Sequence, residues 1–203
     1  MKSITIKKFD YAPSVWDEVQ EIKIDNFKWV NTNKAPKTTA KLFYDDNGLY
    51  IKFFVLESKI TAMHKNLNDP VCEDSCVEFF VRPSCDKRYI NFEVSAMGTM
   101  LIGLGEGREE RLALIPDTAI FKMETTVKDA DSYKGDMWCV EYTVPFAFLN
   151  EIYGEFDIKE GFYGNFFKCG DLTDVEHYGM WSPTECQFPN FHMPEYFGKI
   201  NIG

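Results

Sequence analysis

The stretch Thr38-Thr39-Ala40-Lys41-Leu42-Phe43-Tyr44-Asp45-Asp46-Asn47-Gly48-Leu49-Tyr50-Ile51-Lys52-Phe53-Phe54-Val55-Leu56-Glu57 decides the fold. Two β-rich segments flank Asp45-Asp46-Asn47-Gly48, a cluster that supplies polar caps and a glycine able to take left-handed backbone. The spacing predicts a hairpin. In its second arm Leu49, Ile51, Phe53 and Val55 alternate with Tyr50, Lys52 and Phe54. One face is thus uniformly apolar and the other mixed, as in a sheet that lays one side on a core.

The pattern repeats outward from this hairpin. Cys76 to Arg82 sets Val77, Phe79 and Val81 against Glu78, Phe80 and Arg82, and Arg88 to Ser95 sets Phe92 and Val94 against Asn91, Glu93 and Ser95. Ala96-Met97-Gly98 then turns the chain into Thr99 to Leu104, so those two runs are expected to pair. Gly105 to Arg111 is glycine-rich and charged and reads as a surface loop, and Thr118 to Lys128 and Met137 to Val144 read as strands, the latter ended by Pro145. Phe146 to Tyr153 predicts a short helix plugging one end, with Phe146, Leu149 and Tyr153 near one face. Gly161 to Cys169 and Lys199 to Ile202 supply late strands. About a dozen short strands, little helical periodicity and no repeat or linker predict one unit over residues 1–203. That unit is all-β, an antiparallel β-sandwich with jelly-roll or immunoglobulin-like connections.

Composition agrees and excludes several functions. The chain has 203 residues, 45% of them hydrophobic and 16% aromatic, which argues against disorder. A formal net charge of −10 repels a phosphate backbone and no Lys/Arg cluster offsets it, so nucleic acid is not an expected partner. No run approaches the ~20 apolar residues of a membrane span, and Met1 to Tyr11 lacks the apolar centre of a secretory signal. A soluble chain without membrane insertion is expected, its compartment unassigned. Six cysteines stand at 72, 76, 85, 139, 169 and 186, and a core of this size does not need disulfides, so reduced thiols are expected. Cys72 and Cys76 have no second pair spaced for zinc, Cys139 reads as a small buried hydrophobe, and His64, His177 and His192 have no ligand spacing.

The chemistry concentrates in Asn68-Asp69-Pro70-Val71-Cys72-Glu73-Asp74-Ser75-Cys76-Val77-Glu78-Phe79-Phe80, a polar loop running into a strand. With Asn91-Phe92-Glu93, Gly164-Asn165-Phe166, Trp181-Ser182-Pro183 and Phe191-His192-x-Pro194-Glu195-x-Phe197-Gly198, in that order, it resembles family 9 carbohydrate-binding modules from about Thr38 to Ile202. The resemblance implies a non-catalytic β-sandwich that binds a saccharide or polysaccharide and serves polysaccharide catabolism beside a partner glycoside hydrolase. It also implies a sugar ring clamped by aromatics. A pyranose stacks its C–H faces on aromatic rings and needs fixed polar partners for its hydroxyls.

Carried over by position, the family's loop aromatic falls on Val71, so half the clamp is missing, and its second aromatic falls on Phe191. Glu78 matches the acid that binds sugar hydroxyls, and Glu93 stands where the family sheet can carry an arginine. An extra residue at Cys76 suggests a β-bulge that re-aims Glu78. Asn165 is a candidate hydrogen-bonding residue that could equally satisfy backbone at a bend, Trp181 reads as core, and His192 as a structural donor within its loop. Ligand-binding candidates are therefore Phe191, Glu78, Glu93, Asn165 and Val71. No cofactor is expected beyond structural calcium, for which Asp45, Asp46 and Asp74 are the available donors, although an ordinary hairpin turn accounts for the first two.

Two other classes stay open. Glu78 and Glu93 on neighbouring strands could form a glycosidase pair, whose carboxyls stand ~5 to 9.5 Å apart. No Gly-x-Ser-x-Gly, His-Glu-x-x-His or phosphate-binding glycine loop accompanies them. Alternatively the Phe and Tyr side chains near the loops could grip another protein.

Overall fold

The computed structural model describes residues 1–30, 34–130 and 135–203. Its organising hairpin is β4 (Lys37–Tyr44) and β5 (Gly48–Glu57), with Tyr44 opposite Leu49 and Lys41 opposite Lys52. Asp45 ties the reversal: its carboxylate accepts from the N–H groups of Asn47 at 2.6 Å and Gly48 at 3.0 Å, and from the Tyr50 hydroxyl at 2.8 Å. This is the side-chain mimicry of a turn that favours Asp there. The apolar set Leu49, Ile51, Phe53 and Val55 is fully buried, as the alternation predicts.

The smaller sheet runs β10 (Glu124–Ala130), β11 (Gly135–Pro145), β5, β4 and β2 (Glu21–Ile24). The larger runs β1 (Ser3–Ile6), β14 (Gly198–Ile202), β12 (Phe162–Gly170), β6 (Cys76–Pro83), β7 (Tyr89–Ser95), β8 (Met100–Gly105) and β9 (Leu112–Ala113). Beside β12 it also carries β13 (His177–Met180) and then β3 (Asn26–Phe27). The described strand pairs are antiparallel except β1 with β14. Val77, Phe79, Phe92, Val94 and Phe166 of the larger sheet meet Leu42, Ile51, Phe53 and Val140 of the smaller in one core. Helix α1 (Phe146–Tyr153) closes one end, and Phe148 rather than Phe146 is its deeply buried ring, edge-on to Phe121 at 5.3 Å.

The architecture matches the expected sandwich, with corrections in the details. The first half of Thr118 to Lys128 is a 3-10 turn, because Asp117 caps it by accepting from the Ala119 N–H, and the strand begins only at Glu124. Cys139 is half-buried on the outer face opposite Phe54, not sealed inside. No bulge occurs at Cys76: the ladder runs one residue to one through Cys76–Ser95, Val77–Val94 and Glu78–Glu93, and likewise to β12.

The largest difference concerns the outer side of the larger sheet. Alternation predicts solvent there, but β6 and β7 are buried on both faces. The chain from Trp181 to Phe197 folds over them, and Phe80, Tyr89, Phe167, Phe191 and Phe197 form a second apolar cluster there. That cover creates the site.

Candidate functional site

Strand alternation puts Cys76, Glu78 and Phe80 of β6 on this outer face. Register sets Glu78 between Glu93 of β7 and Phe167 of β12, and Cys76 beside Cys169. The segment Phe188–His192 passes above, with Tyr178 and Asp171 at one side, enclosing a hollow of about 400 Å³ that opens outward. Cys72, Glu78, Glu93 and Cys169 line its base, and Arg108 stands at the wall with Nη1 donating to the Pro189 carbonyl at 3.2 Å.

The floor is polar but almost wholly buried. Glu78 is 3% exposed and Glu93 6%. The Cys169 thiol donates to Glu78 Oε1 at 2.9 Å, and Asn91 Nδ2 donates to Glu93 Oε1 at 2.8 Å. Asn91 is fixed in turn by Arg111, whose Nε donates to its Oδ1 at 3.0 Å and whose guanidinium lies 4.4 Å over the Tyr89 ring. Tyr89 Oη shares a 2.8 Å hydrogen bond with His192 Nδ1. One connected network thus runs from the loop after β8 to Glu93.

Burial sets the protonation states. It pushes Glu93 up to about 7, against the Asn91 hydrogen bond and the Arg111 charge. It pushes Glu78 well above the usual carboxylate range, with the Glu93 charge adding to the rise. Asp171 is raised by burial as well, and the Cys76 thiol is pushed up to about 11. His192 is lowered to about 3 by burial and by the charges of Arg111 and Arg108, so it is a neutral imidazole at ordinary pH. Two buried carboxyls side by side favour holding a proton between them, which supplies both donors and acceptors to a ligand.

Two aromatic residues of the covering segment play different parts. Phe191 is 8% exposed and stacks on Phe167 with centroids 4.2 Å apart and planes 14° from parallel, so one of its faces is spent on the protein. Phe188 is 69% exposed at the mouth of the same hollow.

A model of carbohydrate-binding family 9 matches residues 12–202. The chain belongs to carbohydrate-binding family 9. No curated protein matches it. A solved Bacteroides uniformis structure, described as a proposed carbohydrate-binding protein, is 28% identical with a TM-score of 0.82 and covers 100% of this chain and 99% of its own. A family 9 module of Caldicellulosiruptor kristjanssonii in complex with cellotriose is 14% identical, with a TM-score of 0.64 over 99% of this chain and 93% of its own. A family 9 module from the same organism in complex with glucose is 15% identical, with a TM-score of 0.65 over 100% and 96%. At these last identities the likeness speaks to the fold alone.

Of the positions carried over from family 9, the structure gathers Glu78, Glu93 and Phe191 around one hollow and places two elsewhere. Asn165 is fully buried: its Nδ2 donates to the Ser182 carbonyl at 2.8 Å, and its Oδ1 accepts from the Phe166 and Ser182 N–H groups at 2.9 Å each. It ties β12 to the start of the covering segment, the bend role that sequence left open. Val71 is sealed in the second apolar cluster, while the next residue of its 3-10 turn, Cys72, faces the hollow. Trp181 is core, as expected.

The three aspartates expected as calcium donors each hold partners within the protein. Asp45 is consumed by its turn and Asp46 pairs with Lys8. Buried Asp74 accepts from the Met63 N–H at 2.8 Å and the His64 N–H at 3.0 Å. Among the described residues, the one group of three ligating side chains close enough to share an ion is Cys76, Glu78 and Cys169. Sequence reasoning missed Cys169, Asp171, Tyr178 and Arg108 at the hollow, since only tertiary packing brings them to β6. Phe188 was findable, because it opens the Pro-punctuated run that contains Phe191.

Proposed function

We propose that this family 9 protein is a non-catalytic module that binds a neutral saccharide in the hollow above β6, β7 and β12, stacking a ring on Phe188 against the Phe191 wall. The carrying observation is that Glu78, Glu93, Phe188 and Phe191 line one opening of about 400 Å³. Such a volume suits a small ligand, and a few fixed polar groups beneath an apolar wall are what a sugar's hydroxyls and C–H faces require. Buried carboxyls at the base disfavour an anionic ligand and favour one rich in hydroxyls.

The carboxyl arrangement supports binding over hydrolysis. Glu78 and Glu93 sit side by side on one sheet face, whereas glycosidases flank the scissile bond from two sides. A setting in polysaccharide catabolism, with a partner glycoside hydrolase supplying the chemistry, belongs to the same proposal.

Titration calorimetry against glucose, cellotriose and a wider oligosaccharide panel, with product analysis of each mixture, tests it. The expected outcome is saturable binding without released sugar, weakened about tenfold in Phe188→Ala, the worth of roughly one good aromatic contact. Absence of heat across the panel, or steady release of reducing ends, would contradict it.

A further inference from the structure

Beside Glu78 at the base of the hollow stand two cysteines that saccharide recognition leaves without a role. Cys76 of β6 stands opposite Cys169 of β12 in the ladder, and Glu78 lies two residues on along the same face. Their ligating atoms all lie within 4.8 Å of one another, all three residues are buried, and Cys169 Sγ already reaches Glu78 Oε1 at 2.9 Å. Cys72 adds a third sulfur-bearing side chain to the lining beside them, its carbonyl accepting from the Asp171 N–H at 3.0 Å. The surroundings are acidic, with Glu93 and Asp171 also lining the space.

Two sulfurs and a carboxylate from rigid paired strands, with one side towards the hollow, match three protein ligands and an open fourth position around a tetrahedral cation. Sulfur excludes the oxygen-seeking cations such as calcium and magnesium and selects thiophilic ones. The spacing of cysteines along the chain hides this set, because the partner of Cys76 is not Cys72 four positions earlier but Cys169 on another strand.

We infer that Cys76, Glu78 and Cys169 form a site for one thiophilic divalent cation of the zinc class, its fourth position facing the hollow beside Cys72. Binding releases the two thiol protons, and any proton on Glu78, to solvent and leaves two thiolates and a carboxylate on the ion. Because the ion displaces those protons, affinity rises with pH. The inference does not rest on the saccharide reading, since it concerns the metal alone.

The test uses the reduced full chain without sugar. Co²⁺ titration should produce a sulfur-to-cobalt charge-transfer band saturating at one equivalent, and Zn²⁺ should displace it. X-ray absorption of the Zn²⁺-loaded wild-type protein should show at least two sulfur scatterers at ~2.3 Å. Cys169→Ser and Glu78→Gln should each weaken Co²⁺ binding by at least about tenfold, while Cys85→Ser leaves it unchanged. Absence of the band with Co²⁺ in excess, fewer than two sulfurs around zinc, or unaltered affinity in Cys169→Ser would overturn the site. The wild-type spectra decide the matter even where a variant fails to fold.

Discussion

Glu93 and Glu78 are acids whose burial is offset by hydrogen bonds rather than by a contacting cation, and this has a consequence for stability. Because the folded state holds Glu93 at about 7, above its unfolded value of 4.5, the native protein binds more protons than the unfolded chain between those values. Stability from this group is therefore complete below pH 4.5 and is lost as pH rises through 7, by up to about 3 kcal/mol. Glu93→Gln keeps an oxygen to accept from Asn91 and removes the titration. Its melting temperature relative to wild type should rise between pH 5 and pH 8, and a difference independent of pH would refute the assignment. The two phenylalanines separate in the same way. Phe191→Ala strips a ring stacked on Phe167 and should cost about 3 kcal/mol or more in denaturant unfolding, whereas exposed Phe188→Ala should leave stability within about 0.5 kcal/mol.

Among elements, the hairpin and the loop before β6 show how few side chains fix the local architecture. A Cβ at Gly48 would lie 2.5 Å from the Val144 carbonyl oxygen in the neighbouring strand, so Gly48→Ala should destabilise by about 1–3 kcal/mol through strand displacement. Asp74 accepts from two backbone N–H groups of the preceding loop. Asp74→Ala leaves both donors without a partner and should cost about 3 kcal/mol, with faster hydrogen exchange at Met63 and His64 as the local signature. These elements were legible in the sequence because a period of two and a turn cluster are local facts, and β4, β5, β6, β7 and α1 all fall where such patterns place them. Strands β1, β2, β3 and β13 were not legible, since segments of two to four residues carry too little alternation.

At the scale of the whole molecule, a buried ionic contact joins the two sheets at the sandwich's interior. Lys168 of β12 points inward, its Nζ 3.3 Å from Glu57 Oε2 of β5 and 2.8 Å from His177 Nε2, while Trp138 Nε1 donates to Glu57 Oε1. Burial and the Lys168 charge hold His177 down at about 3, so it stays neutral beside the ammonium. Lys168→Met strands the Glu57 charge in the core and should cost about 3–5 kcal/mol, with Lys168→Met/Glu57→Gln recovering much of the loss. Equal destabilisation in the single and double variants would show that packing, not charge, matters there. No sequence pattern announced this contact. The site was half-legible for the same reason: Glu78, Glu93 and Phe191 sit in recognisable motifs, but Cys169, Asp171 and Arg108 join them only when the covering segment folds over a sheet face that alternation assigns to solvent.

Function rests on that covered face, open at one mouth. Backbone amide shifts of the isotope-labelled protein during titration with glucose, cellotriose and an oligosaccharide panel test it most directly. Saturable perturbations should gather at Cys72, Glu78, Asp171, Tyr178 and Phe188 to His192, with Lys52 and Phe54 on the opposite sheet unmoved. Perturbations gathered on the outer face of the smaller sheet, or none with any sugar of the panel, would contradict it.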